Sequence, residues 1–181
     1  MRFELIDRIT DLKPGRSLGA VKALSLAEEY LQDHFPGRPV MPGVLMVEAM
    51  VQACAWMVRL ETDFAPSVVV LKEARSVRYG QFVSPGDVLT VHVDLVKMKD
   101  GVAEFKGYGR VDGQVVVSGR LELEYFSLAD KDPPSMLKGA TARSKGDMSD
   151  IDEALRREMR RRCEVICSKD LASGVGASAD P

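Results

Sequence analysis

The apolar residues keep two different rhythms along the chain, and each rhythm predicts a different kind of element. Residues 3–9 alternate loosely and end at Thr10-Asp11, which predicts a short strand. Lys13-Pro14-Gly15-Arg16 follows as a turn, with Pro14 set for the first central position and Gly15 for a positive φ. Residues 17–26 predict a second strand, with Leu18, Ala20, Ala23, Leu24 and Leu26 on one buried face, and residues 27–33 tolerate a single helical turn. From Val44 to Leu60 alternation stops. This run holds no proline or glycine and is almost wholly apolar, and Leu45, Val47, Met50, Val51, Cys54, Ala55, Trp56 and Val58 leave no continuous polar face. Such a helix is wrapped on most sides by other structure.

Beyond a polar connection at 61–66, strand rhythm returns. Val68-Val69-Val70-Leu71 is a continuous apolar run, as expected of a strand covered on both faces, and residues 74–82 continue extended. Residues 88–96 alternate, with Val91, Val93 and Leu95 on one side and Thr90, His92 and Asp94 on the other. Residues 102–110 and 115–126 complete the series, separated by Asp100-Gly101 and Asp112-Gly113, the dipeptide that tight hairpins favour. One long apolar helix with five or six mostly antiparallel strands predicts an α+β fold whose sheet curls around the helix.

At residue 127 the composition changes, which divides the chain into a domain over 1–128, a linker over 129–148, a helix over 149–168 and a flexible tail over 169–181. The linker is rich in Lys, Asp, Pro, Ser and Gly and has no apolar period. Ser149 with Asp152 three residues later is a capping signal. Ile151, Leu155, Met159, Cys163 and Ile166 then recur at helical spacing, while Arg156, Arg157, Arg160, Arg161 and Arg162 crowd another side. This basic amphipathic helix is expected to pack back on the domain or its oligomer. Contact of the tail with a membrane is disfavoured; docking of an acidic protein, anionic lipid or nucleic acid on the helix is the alternative.

A chain of 181 residues with 45% hydrophobic content supports one good core, and a net charge of −2 gives no pull toward nucleic acid. Arg2, Glu4, Asp7 and Arg8 leave no apolar leader core at the N-terminus, so a cytoplasmic protein is expected. Three cysteines fit that compartment. Cys54 reads as a small buried hydrophobe, and Cys163 and Cys167 have no histidine or CxxC partner nearby, so no metal site is expected.

The candidate chemistry lies immediately before and within the apolar helix. His34-Phe35-Pro36-Gly37-Arg38-Pro39-Val40-Met41-Pro42-Gly43 is a shaped loop, with Pro42 suited to the first helical position. Gly43 leaves its own amide and that of Val44 open at the positive end of the helix dipole, where an oxygen bearing negative charge is stabilised. Glu48 and Gln52 lie four apart on one side of the helix, so the amide can orient the carboxyl. An acid there must be paired or protonated; exposure at the helix end, or a partner in Arg38 or Arg59, is the plain alternative. His92, on the polar side of its strand, reads as an exposed histidine.

The unbroken run from His34 to Gln52, HFPGxPxxPGVLxxEAMxQ, resembles the signature of bacterial (3R)-hydroxyacyl-[acyl-carrier-protein] dehydratases of the glutamate form. The likeness covers roughly residues 3–127, including Phe82-Val83-Ser84-Pro85-Gly86-Asp87 and Val111-Asp112-Gly113. It implies the hot-dog fold, a homodimer or trimer of dimers with His and Glu meeting across the subunit interface, an acyl carrier protein as partner, and no cofactor. Carried over by residue, it makes His34 the base, Glu48 the acid, Gly43 and Val44 the thioester-binding helix tip, Gln52 the residue that positions Glu48, and Phe82 a lining residue with Val47, Met50 and Trp56. The chain departs from the pattern at Asp33 and across 79–82, where arginines and a proline are usual; Arg75 and Arg78 stand slightly upstream. Related activities on coenzyme A or polyketide-type thioesters, and a non-catalytic acyl-binding protein, are the alternatives.

Overall fold

The computed structural model describes residues 4–129 and 145–167. Six strands form one antiparallel sheet: β1 (Arg8–Lys13), β2 (Ser17–Ala23), β3 (Val68–Tyr79), β4 (Val88–Lys99), β5 (Val102–Val111) and β6 (Gln114–Phe126). Their order is β1-β2-β4-β5-β6-β3, so β1 and β3 are the edges. Helix α1 (Gly43–Glu61) packs against five of the six strands, β2 through β6. This is the hot-dog arrangement, with the sheet as the bun.

The core sits between that helix and the concave face of the sheet. Ala49, Met50, Ala53, Cys54, Met57 and Val58 of α1 are fully buried with Leu18, Leu89, Val91, Val93 and Phe105 of the strands. The close approach depends on Gly107 in β5. A Cβ there would stand 3.3 Å from Met50 Sδ and from Val93 Cγ1, so a side chain would crowd the contact between strand and helix. The length and mean hydropathy of α1, 1.4, would suit a membrane span, but here they reflect a helix enclosed by a sheet. Both Asp-Gly turns carry positive φ at both residues (53° and 77°; 49° and 80°), the combination that matches strand twist.

Several boundaries differ from expectation. The first strand begins at Arg8 rather than at residue 3, because the earlier backbone is engaged elsewhere: Leu5 N donates to the Gln52 side chain, 2.9 Å. The second strand ends at Ala23, since Leu24 turns to exchange backbone hydrogen bonds with Asp87 and Gly86; Leu26 is 75% exposed instead of facing the core. Residues 68–71 are half-buried rather than covered on both faces, because β3 is an edge strand hydrogen-bonded to β6 alone. Pro42 is the N-cap, with ψ 137°, and the helix proper starts one residue later at Gly43.

Helix α2 (Lys145–Ile166) starts before Ser149, so the Ser149/Asp152 pair does not cap it. Asp152, 1% exposed, is used differently. Its carboxylate accepts from Ser67 Oγ and from the amides of Leu128 and Ala129, 2.8 Å each, fastening the helix to the ends of β3 and β6. Arg156 donates to Ala65 O at 2.8 Å, Arg160 to Asp63 Oδ1 at 2.9 Å, and Arg162 pairs with Glu4. At the far end Cys163 and Ile166 are buried and Cys167 bridges to Ile9 of β1. The helix therefore straps one sheet edge to the other, and three of its five crowded arginines point back onto the domain. Cys163 and Cys167 lie with sulfurs 3.2 Å apart; sharing that hydrogen bond pushes the Cys163 thiol up and the Cys167 thiol down. The expected linker falls largely on residues 130–144 and the expected tail on 169–181, both outside the described residues.

Candidate active site

The 34–43 loop is held by its own backbone. Val40 N donates to His34 O at 3.0 Å, Arg38 N to Phe35 O at 3.0 Å, and Met41 N to Val83 O at 2.8 Å, which anchors the loop to the turn before β4. The His34–Phe35 peptide is cis, and the two rings stack with centroids 4.2 Å apart. His34 is half-buried, and its Nδ1 lies 3.0 Å from Val40 O. A carbonyl can only accept, so Nδ1 carries the hydrogen and Nε2 is left with a free lone pair. That is the tautomer a general base requires. Asp33 is exposed and faces water.

At the helix tip, the first amides to reach a carbonyl are those of Leu45 and Met46, both on Pro42 O. Among the described residues the amides of Gly43 and Val44 have no backbone acceptor, which leaves two donors at the positive end of α1. The tip is not bare, however. The Tyr79 ring lies against Gly43, and a Cβ on Gly43 would meet it at 2.9 Å. This contact comes from the 79–82 segment and marks Tyr79 as a neighbour of the site. Val44 is 69% exposed.

Glu48 and Gln52 behave as their spacing predicts. Gln52 Nε2 donates to Glu48 Oε1 at 2.9 Å, while Gln52 Oε1 accepts from Leu5 N at 2.9 Å. Glu48 is half-buried, and among the described residues it forms no ion pair; Arg38 lies over the Phe82 ring instead, 5.6 Å from its centroid. Glu48 and Gln52 border a cavity of about 240 Å³ that Trp56, Arg59 and α2 residues also line. His34 is not among the residues that line this cavity.

The expected lining set divides. Trp56 borders the cavity; Met50 is wholly in the core, and Phe82 is 64% exposed beside Arg38. His92 lies 3.2 Å from Asp94 and stacks on Tyr108, away from the loop. Arg75 pairs with Glu73 on the exposed face of β3. Sequence reasoning missed Leu5 and the α2 residues of the cavity, which nothing near 34–52 signals. Arg59, offered by the sequence as a partner for Glu48, lines the same cavity, but among the described residues it forms no ion pair with that carboxyl.

Fold and site together define a hot-dog protein with dehydratase-type residues, and comparison with known proteins agrees. The FabA-like domain matches residues 1–120, and the chain belongs to that family. The 3-hydroxyacyl-[acyl-carrier-protein] dehydratase FabZ of Albidiferax ferrireducens is 42% identical over 122 residues, 66% of this chain and 81% of the relative. That of Symbiobacterium thermophilum is 37% identical over 131 residues, 72% of this chain and 92% of the relative. Among solved structures, the dehydratase heterocomplex ApeI:P from Xenorhabdus doucetiae superposes with a TM-score of 0.57 at 22% identity, over 68% of this chain and 83% of that one. At that identity the likeness concerns the fold.

Proposed function

We propose that this protein is a 3-hydroxyacyl-[acyl-carrier-protein] dehydratase of fatty-acid biosynthesis, converting a (3R)-3-hydroxyacyl thioester into the trans-2-enoyl thioester. The observation that carries the reading is the pair of oriented groups: an imidazole locked with Nε2 free by Val40 O, and a carboxyl held by Gln52. His34 Nε2 removes the Cα proton, and the C–H electron pair becomes the new double bond as the C3–O bond breaks. Glu48 of the partner subunit gives its proton to the departing hydroxyl, which leaves as water. The Gly43 amide holds the thioester oxygen, where negative charge grows.

A second copy completes this site. Leu26, Phe35, Val44, Tyr79 and Phe82 are each more than half exposed, and all but Leu26 lie in or against the 34–43 loop or the helix tip. Monomeric surfaces rarely leave so much apolar area open, and the free edge of β3 offers the matching strand for a two-fold pairing. The exposed cations Arg38 and Arg78 beside this region suit an acidic carrier protein. The compartment that goes with the reading is the cytoplasm, which three unpaired thiols fit.

The test is formation of the enoyl chromophore from carrier-bound 3-hydroxyacyl substrates. Wild type turns over; His34→Ala and Glu48→Gln each lose about a thousandfold or more in kcat, while sizing shows the same oligomer. Full activity in either variant refutes the assignment. Co-expressing the two inactive variants restores about a quarter of the wild-type sites if each site draws one residue from each subunit; no restoration refutes the shared site.

A further inference from the structure

The cavity that Glu48 borders ends on charge. Its near end is formed by Glu48 and Gln52, its side by Val51 and Trp56, and its far end by Arg59 of α1 and Arg162 of α2. Arg162 is answered by Glu4. Arg59 is not: among the described residues it makes no ion pair, its buried Nε has no hydrogen-bond partner, and its guanidinium carbon lies over the Trp56 ring, 5.5 Å from the centroid. Burial, with the charge of Arg162, pushes the Arg59 guanidinium down to about 10. An uncompensated cation in a half-buried cavity is costly unless something anionic answers it. The wall that brings Arg162 there is α2, which lies beyond the region matched by the family domain.

We propose that Arg59 and Arg162 form a carboxylate subsite at the distal end of the acyl pocket, so that the preferred substrate is a 3-hydroxyacyl thioester carrying a carboxylate at its far end. The inference rests on Glu48 acting as the acid at the near end of the same cavity. One negative charge matches the balance there, since Glu4 already offsets one of the two guanidiniums. A planar guanidinium with a free Nε–H takes a carboxylate through paired hydrogen bonds, which a methyl terminus cannot supply. The two ends lie about 16 Å apart along the helix axis at 1.5 Å per residue, and the Arg59 side chain leans back toward the N-terminus, so chains of about eight to about twelve carbons span the gap.

The experiment compares carrier-bound 3-hydroxy acyl chains of equal length that end in carboxylate or in methyl. Wild type shows a kcat/KM at least about tenfold higher for the carboxylate series, the step expected of one buried charge-assisted contact. In Arg59→Met that preference inverts, through a raised KM for carboxylate chains and a lowered KM for methyl chains; Arg59→Lys keeps the charge but loses most of the preference. Wild-type preference for methyl chains at every length overturns the subsite and leaves the dehydratase reading standing. Turnover of neither series overturns both. Should Arg59→Met fail to fold, the wild-type comparison with Arg162→Met decides: an unchanged ratio there, together with no wild-type preference, refutes the proposal.

Discussion

Gln52 is the residue at which folding and the proposed catalysis meet, and two substitutions separate its roles. Gln52→Leu removes both 2.9 Å hydrogen bonds. The one to Glu48 contributes about 0.5–1.5 kcal/mol, and Leu5, 1% exposed, is left with a buried amide lacking its acceptor, a further cost of about 1–3 kcal/mol. Relaxation and water recover part of this, so a loss of about 3 kcal/mol is expected, which lowers Tm by about 6–12 °C in a chain of this size. Gln52→Glu keeps an oxygen for the Leu5 amide and so spares most of the stability. It removes the donor to Glu48 and sets two carboxyls one helical turn apart, so Glu48 loses the partner that orients it. In the dehydratase assay kcat should therefore fall about tenfold or more, while the thermal melt shifts by less than half that of Gln52→Leu. A Gln52→Glu enzyme with the wild-type kcat would show that Gln52 does not position the acid, and the mechanism above would lose its support for Glu48.

Two further outcomes concern the scaffold. Asp152→Ala strips the acceptor from Ser67, Leu128 and Ala129 and should cost about 3 kcal/mol, read in urea unfolding, with faster amide exchange at 128 and 129; a change under about 0.5 kcal/mol would mean that α2 is not fastened there. Lys22 is buried, and although burial opposes its charge, the Glu28 hydrogen bond and the charges of Asp7 and Glu28 raise it above its ordinary 10.5. A raised folded-state value gives stability that is present below the unfolded value and disappears as pH climbs through the folded one. The difference in urea midpoint between wild type and Lys22→Met should thus hold from pH 7 to pH 9 and shrink above about pH 10.5; a constant gap would refute the ion-pair account.

What could be read without coordinates was local. The helix of 43–61, the Asp-Gly turns and the hydrogen-bonded pair Glu48 and Gln52 all follow from short-range rules, because a proline-glycine start, a tight turn and an i, i+4 pair act within a few residues of one another. Edge strands were harder. Residues 68–71 have the composition of a doubly covered strand, and only the order of pairing reveals that β3 has one free side.

The sequence alone offered the candidate side chains for chemistry and determined that a curled sheet would enclose one apolar helix. Tertiary structure decided what surrounds them: Leu5 reaching Gln52 across 47 positions, Asp152 clasping the ends of two strands, and α2 bringing Arg162 to the cavity of Glu48. Those contacts join segments far apart in the chain. Their partners are selected by which buried donors and charges remain unanswered once the sheet has closed, and no local pattern carries that information.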